Sequence, residues 1–193
     1  MLTPPEKKQI ITLAGRPGAG KTTTRNLAAD ELGFERHSTG GWFRDISHER
    51  GLDLLAGNEH AQTDRSIDIE IDRRQKELGL TSDRFVIDGR LAWHFIPNSY
   101  KVYLDLDPAT AARRVLADPS ADRAEKEKVS SDPDAYAKDL QRRRELEAER
   151  YMDLYGVDIS DMDNYDLVID TSNVPPEEVA RLVVNGFRRW FSH

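Results

Sequence analysis

A chain of 193 residues, 38% of them hydrophobic, is long enough for one α/β domain with a core that needs no covalent staples. The absence of cysteine excludes disulfides, thiolate metal centres and cysteine nucleophiles, and a net charge of −7 argues against broad nucleic-acid binding, which leaves a basic footprint. No run approaches the roughly 18 apolar residues of a membrane span, and Met1–Lys8 lacks the apolar region of a secretory signal, so a cytoplasmic location is expected.

In chain order, Gln9–Ala14 reads as a buried strand. It runs into Gly15-Arg16-Pro17-Gly18-Ala19-Gly20-Lys21-Thr22, which meets GxxxxGK[ST] at every required position, and a helical segment over Lys21–Leu32 follows. This is the context a phosphate-binding loop needs. The glycines let backbone N–H groups turn inward on a phosphate that also meets the positive end of a helix. Lys21 is expected to reach the β- and γ-phosphates and the Thr22 hydroxyl to ligate Mg²⁺, with Gly15, Arg16, Pro17, Gly18, Ala19, Gly20 and Thr23 completing the ATP site.

A weak strand, Phe34–His37, leads to Ser38-Thr39-Gly40-Gly41, a loop and cap that open a helix through Arg50. Arg44, one turn in, suits either an acceptor phosphate or an ordinary surface position; Trp42 and Phe43 read as core rather than base-stacking residues. Asn58–Leu78 reads as a helix with Ile67, Ile71, Arg74 and Leu78 on one stripe and Asp68 and Asp72 on the next. The strand Arg84–Asp88 places a carboxylate beside the phosphate loop, where it can hold Mg²⁺ or its water. Gly89 then turns the chain and Arg90 offers its planar fork to a phosphate.

A fourth strand, Tyr100–Leu106, precedes a helix opened by Pro108 and ending near Leu116. Ala117–Asp132 is charged and irregular, framed by Pro119 and Pro133. A long helix from Asp134 to about Tyr155 puts Arg143, Glu147 and Arg150 on one face, in line with Tyr136, Leu140, Tyr151 and Leu154. Two arginines there could clamp a transferring phosphoryl group, although a solvated Glu/Arg face is the plainer reading. Arg142 and Arg144 are expected to be solvated. Tyr165–Asp170 is the fifth strand, and Pro175-Pro176 starts the last helix.

The first, third and fifth strands are near-continuous apolar runs, as buried parallel strands should be, and their alternation with helices predicts a doubly wound sheet. Asp88, Asp105, Asp107 and Asp170 fall at strand ends, where such sheets bind ligands. The five histidines show no metal-ligand spacing, and there is neither a G-x-S-x-G elbow nor a guanine-reading Asn-Lys-x-Asp stretch.

Together these residues resemble the nucleoside monophosphate kinases, most closely the short cytidylate kinases common in archaea. The resemblance runs from Ile10 to about Val184. Besides the phosphate loop it is carried by Ser38-Thr39-Gly40 with Phe43-Arg44, by Ile67–Gln75, by Asp88-Gly89-Arg90-Leu91-Ala92, by Arg150-Tyr151, by Tyr155–Ile159 and by Tyr165–Thr171. It implies a single three-layer α/β domain over 1–193, with a five-stranded parallel sheet in the order 2-3-1-4-5. Acceptor-binding helices would span about 38–80 and a small helical lid about 117–150. The implied reaction is transfer of the ATP γ-phosphoryl group to CMP or dCMP, with Mg²⁺ as cofactor.

By motif position, Lys21, Asp88, Arg143 and Arg150 would be catalytic. Thr39, Arg44, Asp72, Arg90 and Glu147 would bind the acceptor, Thr22 and Asp88 would serve the metal, and Thr171–Pro175 would border the adenine. A monomer that binds ATP and a nucleoside monophosphate, and neither nucleic acid nor membrane, is expected. The chain departs from the family pattern at Gly41, where an acidic residue is usual, which keeps UMP, AMP or a shikimate-like acceptor open. From a different class, a nucleotide-dependent assembly ATPase without a small acceptor also remains open.

Overall fold

Five parallel strands in the order β2-β3-β1-β4-β5 organise the chain: β1 (Ile10–Gly15), β2 (Glu35–Ser38), β3 (Phe85–Asp88), β4 (Tyr100–Asp105) and β5 (Leu167–Asp170). Around them lie α1 (Lys21–Leu32), α2 (Thr39–Glu49), α3 (Ser66–Thr81), α4 (Ala92–Phe95), α5 (Pro108–Leu116), α6 (Pro133–Tyr155) and α7 (Pro176–Ser192). The computed structural model describes residues 6–52, 65–117 and 132–192, apart from the side chains at 133, 139 and 143. The expected helix start at Asn58 and all of the irregular Ala117–Asp132 segment except its two end residues lie outside these residues.

Side chains on a strand alternate between faces, and here both faces are apolar. Ile11, Leu13, Val102 and Leu104 pack against Ala28 and Ala29 of α1 and Val179, Val183 and Phe187 of α7. On the other face Ile10, Phe85 and Ile87 meet Ala92 and Ile96, while Ala14 and Tyr103 meet Trp93, Phe95 and Tyr151. Helices therefore cover both sides, giving three layers. Each fully buried Ile, Leu or Phe contributes on the order of 2 kcal/mol, so the central strands dominate the core.

β1 lies between β3 and β4, with Leu13 in register with Asp88 and with Val102. Its end opens at the crevice between outward-going connections, where doubly wound sheets bind ligands. β1 closes on Gly15, at φ +143; a Cβ there would sit 2.2 Å from the Leu104 carbonyl oxygen. Only glycine allows the backbone to pass so near β4.

Helix boundaries follow local chemistry. Ser38 Oγ accepts from the Gly41 N–H at 3.2 Å, capping α2 as the sequence predicts, and Asp107 Oδ1 accepts from the Thr110 N–H at 2.9 Å, capping the helix that Pro108 opens. Two expectations need correction. β5 is an edge strand with Val168 42% exposed, so its apolar run is not buried on both faces. In α3 the buried stripe is Ile67, Ile71 and Gln75, whereas Arg74 pairs with Glu70 at 2.9 Å. The short helix α4 has no sequence expectation behind it; its four residues are too few for periodicity to register.

Candidate active site

The loop after β1 is held from both sides. The Arg16 N–H donates to the Leu104 carbonyl at 3.2 Å, and Arg16 Nε donates to Asp105 Oδ1 at 2.7 Å. Asp105 ends the neighbouring strand, so this pair ties the loop to the sheet. Lys21 Nζ donates to the Gly15 and Arg16 carbonyls at 2.9 and 2.7 Å, which folds the ammonium back along the loop. Thr22 and Thr23, in the first turn of α1, present exposed side chains, while Ala19 is buried beneath them.

β3 brings the second set of groups. The Gly89 N–H donates to the Leu13 carbonyl at 3.0 Å, extending the β1–β3 ladder past Asp88. Asp88 is 8% exposed and accepts from Arg25 Nη1 at 2.5 Å; the same guanidinium reaches the His37 carbonyl at 3.4 Å. Sequence reasoning missed Arg25, yet a signal exists. It lies four residues after Lys21 and therefore on the same face of α1. A Cβ on Gly89 would lie 2.6 and 2.7 Å from Thr39 Cγ2 and Oγ1, so Thr39 rests directly on the turn that launches Arg90. Arg44 is exposed, with Nη1 folded back toward Gly40 at the start of α2.

α6 crosses this cleft. Arg90 pairs with Glu147, Arg150 Nη1 lies 3.8 Å from Asp68 Oδ2, and Tyr155 donates from its hydroxyl to Asp72 Oδ2 at 2.5 Å. Arg150 also stacks its guanidinium 5.2 Å from the Tyr151 ring, and its buried Nε finds no partner among the described residues. The Arg143 side chain lies outside the described residues. Arg144 corrects an expectation: it is half-buried, hydrogen-bonded to the Tyr103 hydroxyl, and packed on that ring because Tyr103 projects from β4 toward α6.

The acidic strand ends divide by role. Asp107 caps α5, and Asp170 Oδ1 accepts from both the N–H and hydroxyl of Ser172, so these two serve turns. The loop after β5 is pinned in turn by Thr171, whose N–H and Oγ1 both donate to the Asp105 carbonyl at 2.9 Å. Burial raises the pKa of Asp72 against the opposing hydrogen bond from Tyr155, and burial likewise raises that of the Tyr155 hydroxyl. Burial lowers His37, whose Nε2 is 3.5 Å from Glu35 Oε2 without hydrogen-bond geometry. Among the described residues no group of three or more His, Cys, Asp or Glu side chains could hold a metal by itself.

The family model of the cytidylate kinase-like family matches residues 10–173. The chain belongs to that family. Curated relatives include the cytidylate kinase of Methanobrevibacter smithii, 34% identical over 93% of this chain and 98% of the relative. Another is the cytidylate kinase of Methanosarcina acetivorans, 37% identical over 83% and 86%. The chain also resembles part of the S-adenosylmethionine-dependent nucleotide dehydratase of Lacinutrix mariniflava, 33% identical over 94% of this chain but 36% of that protein. Among solved structures, a shikimate kinase from Bacteroides thetaiotaomicron superposes with TM-score 0.62 at 14% identity, covering 95% and 98%, and an uncharacterized protein from Eubacterium ventriosum with TM-score 0.66 at 16%, covering 93% and 98%. At such identities these two show the fold alone. Family membership makes this kinase a phosphotransferase of the nucleoside monophosphate kinase type. No helix of the described residues is long and apolar enough to cross a membrane.

Proposed function

We propose that the enzyme transfers the γ-phosphoryl group of Mg-ATP to CMP or dCMP, giving the nucleoside diphosphate and ADP. The observation that carries this is the junction of β1 and β3. There the phosphate loop with Lys21 and the Asp88-Gly89-Arg90 turn share one hydrogen-bonded edge through Gly89 and Leu13, with Thr39 packed on that turn. Donor and acceptor phosphates placed on these two elements would face each other.

The chemistry asks for positioning and charge neutralisation rather than a strong base. The loop N–H groups from Gly15 to Thr23 bind the triphosphate, and Lys21 exchanges its carbonyl partners for phosphate oxygens. Arg90, with Arg44 at the start of α2, holds the acceptor monophosphate by guanidinium forks. An acceptor phosphate oxygen attacks the γ-phosphorus in line, the bond from that phosphorus to the β–γ bridging oxygen breaks, and ADP leaves. Arg150 and Arg143 on α6 neutralise the equatorial oxygens as charge develops.

Thr22 and Asp88 offer hard oxygen donors of the kind Mg²⁺ prefers, and Asp88 spends only Oδ1 on Arg25. When bound, the cation neutralises the β- and γ-phosphates. Thr171–Pro175 borders the adenine, and the enzyme works as a cytoplasmic monomer in pyrimidine nucleotide metabolism.

The test is ADP release from Mg-ATP with CMP, dCMP, UMP, AMP, GMP and shikimate in turn. A rate with CMP or dCMP that disappears in Arg90→Ala supports the assignment. Activity with another acceptor alone replaces the acceptor and keeps the kinase. ATP binding with no response to any of them favours the assembly-ATPase alternative.

A further inference from the structure

The contacts between α6 and the acceptor side form a graded series. Glu147 meets Arg90, Arg150 meets Asp68, and Tyr155 meets Asp72. From Glu147 to Tyr155 the helix advances about 12 Å. That span fits a nucleoside monophosphate laid from phosphate to base edge. The phosphate belongs at the Arg90 end, so the base edge falls near Asp72.

The polar atoms at that end are unbalanced. Tyr155 supplies one donor, to Asp72 Oδ2. Gln75 Nε2 lies 3.5 Å from Asp72 Oδ1, at the limit of a hydrogen bond, and this orients the amide with its nitrogen toward the carboxylate. Gln75 is 3% exposed, and its Oε1 finds no partner among the described residues. A buried acceptor without a donor is uncommon. Asp72 Oδ1, which carries one marginal contact, and Gln75 Oε1, which carries none among the described residues, leave acceptor capacity unused.

We infer that Asp72, oriented by Tyr155 and backed by Gln75, is the specificity-determining group that reads the exocyclic amine of the acceptor base. The inference rests on the proposed phosphate end at Arg90. A primary amine such as the 4-amino group of cytosine donates two hydrogens and fits a site of acceptors. The 4-oxo group of uracil only accepts and would face the carboxylate with its lone pairs. Discrimination thus comes from repulsion as much as attraction. Tyr155 is a positioning residue: by occupying Oδ2 it holds the carboxylate plane and leaves Oδ1, with its one marginal contact from Gln75, to accept a further hydrogen bond. The other charged groups that act on Asp72 are Asp68, one turn away, which raises its pKa, and Lys76 and Arg150, which lower it.

The experiment measures kcat/KM for CMP and UMP in wild type, Asp72→Asn and Tyr155→Phe, with ADP release as readout and thermal melting to confirm folding. Wild type is expected to prefer CMP. Asp72→Asn, which adds a donor, should lower the CMP-to-UMP ratio by roughly tenfold or more, partly by raising the UMP value. Tyr155→Phe should lower the ratio severalfold, through KM for CMP more than through kcat. An unchanged ratio in folded Asp72→Asn overturns the inference while leaving the kinase assignment intact. If that variant does not fold, an unchanged ratio in Tyr155→Phe overturns it. A wild-type enzyme that phosphorylates neither nucleotide removes the proposed function and this inference together.

Discussion

Arg25 and Asp88 are separated by 63 residues in sequence and by 2.5 Å in space, in a pair whose side chains are 14% and 11% exposed. The pair ties the helix that begins at Lys21 to the end of β3, so the phosphate loop and the Arg90 turn move as one unit. Removing the cation alone leaves a carboxylate largely out of water. Arg25→Met should therefore cost about 3 kcal/mol in urea unfolding. Arg25→Met combined with Asp88→Asn should recover part of that loss, and additive losses would show that the two side chains act independently.

Gly15 and Gly89 both lie closer to a neighbour than a Cβ permits, but the neighbours differ. At Gly15 the obstacle is the Leu104 carbonyl oxygen at 2.2 Å, and φ is +143; at Gly89 it is the Thr39 side chain at 2.6 Å. A side chain can rotate and a sheet backbone cannot. Gly15→Ala should lower the melting temperature strongly, whereas Gly89→Ala should fold and raise KM for the acceptor. Adding Thr39→Ser, which removes the methyl group at 2.6 Å but keeps the hydroxyl at 2.7 Å, should relieve part of the second effect. Equal melting temperatures for the two glycine variants would refute the distinction.

Lys21 is expected to exchange the Gly15 and Arg16 carbonyls for phosphate oxygens. Lys21→Ala should reduce kcat by at least about 100-fold, the usual cost of removing a preorganised donor to developing charge. Single-turnover ADP formation, with circular dichroism to confirm the fold, measures this. Near-normal turnover would assign the ammonium a purely structural role in the loop.

Arg90 is 58% exposed at its side chain and Glu147 19%, so in their ion pair the carboxylate sits where an acceptor phosphate is expected. Glu147→Gln should weaken that competition and tighten CMP binding severalfold, read by titration calorimetry without ATP. Weaker binding in this variant would instead mean that Glu147 contacts the acceptor directly.

His37 and His94 are both held below the ordinary value of 6.5, chiefly by burial. The native state therefore favours the neutral rings. As pH falls through 6.5 the unfolded chain takes up protons first, so stability declines from about pH 7 toward the lowered native values. Melting temperatures measured across this window should fall in wild type and flatten in His37→Gln combined with His94→Gln. A double variant that keeps the full slope would assign the pH dependence to other groups.

Much of this was legible in the residues themselves. Gly15–Thr22 is contiguous, and its spacing encodes a backbone conformation, so local physics identifies it. Apolar runs at Ile10–Ala14 and Phe85–Ile87 announce strands buried on both faces. The cap at Ser38 is a local hydrogen bond between near neighbours; that at Asp107 is equally local, although its place at a strand end read as a ligand position. Family resemblance supplied the strand order, which no local pattern contains.

What only the tertiary structure decided are the pairings across the cleft. Arg25 looks like any helix arginine until β3 brings Asp88 to it, and Arg144 reads as solvated until Tyr103 projects from β4. Gln75 rather than Arg74 is buried because the rotation of α3 depends on what α2 and α4 present to it. A sequence shows which side chains carry charge and which helix face they share. Which charge meets which depends on how separate elements dock, and the free energy of that docking resides mainly in apolar contacts made elsewhere in the core.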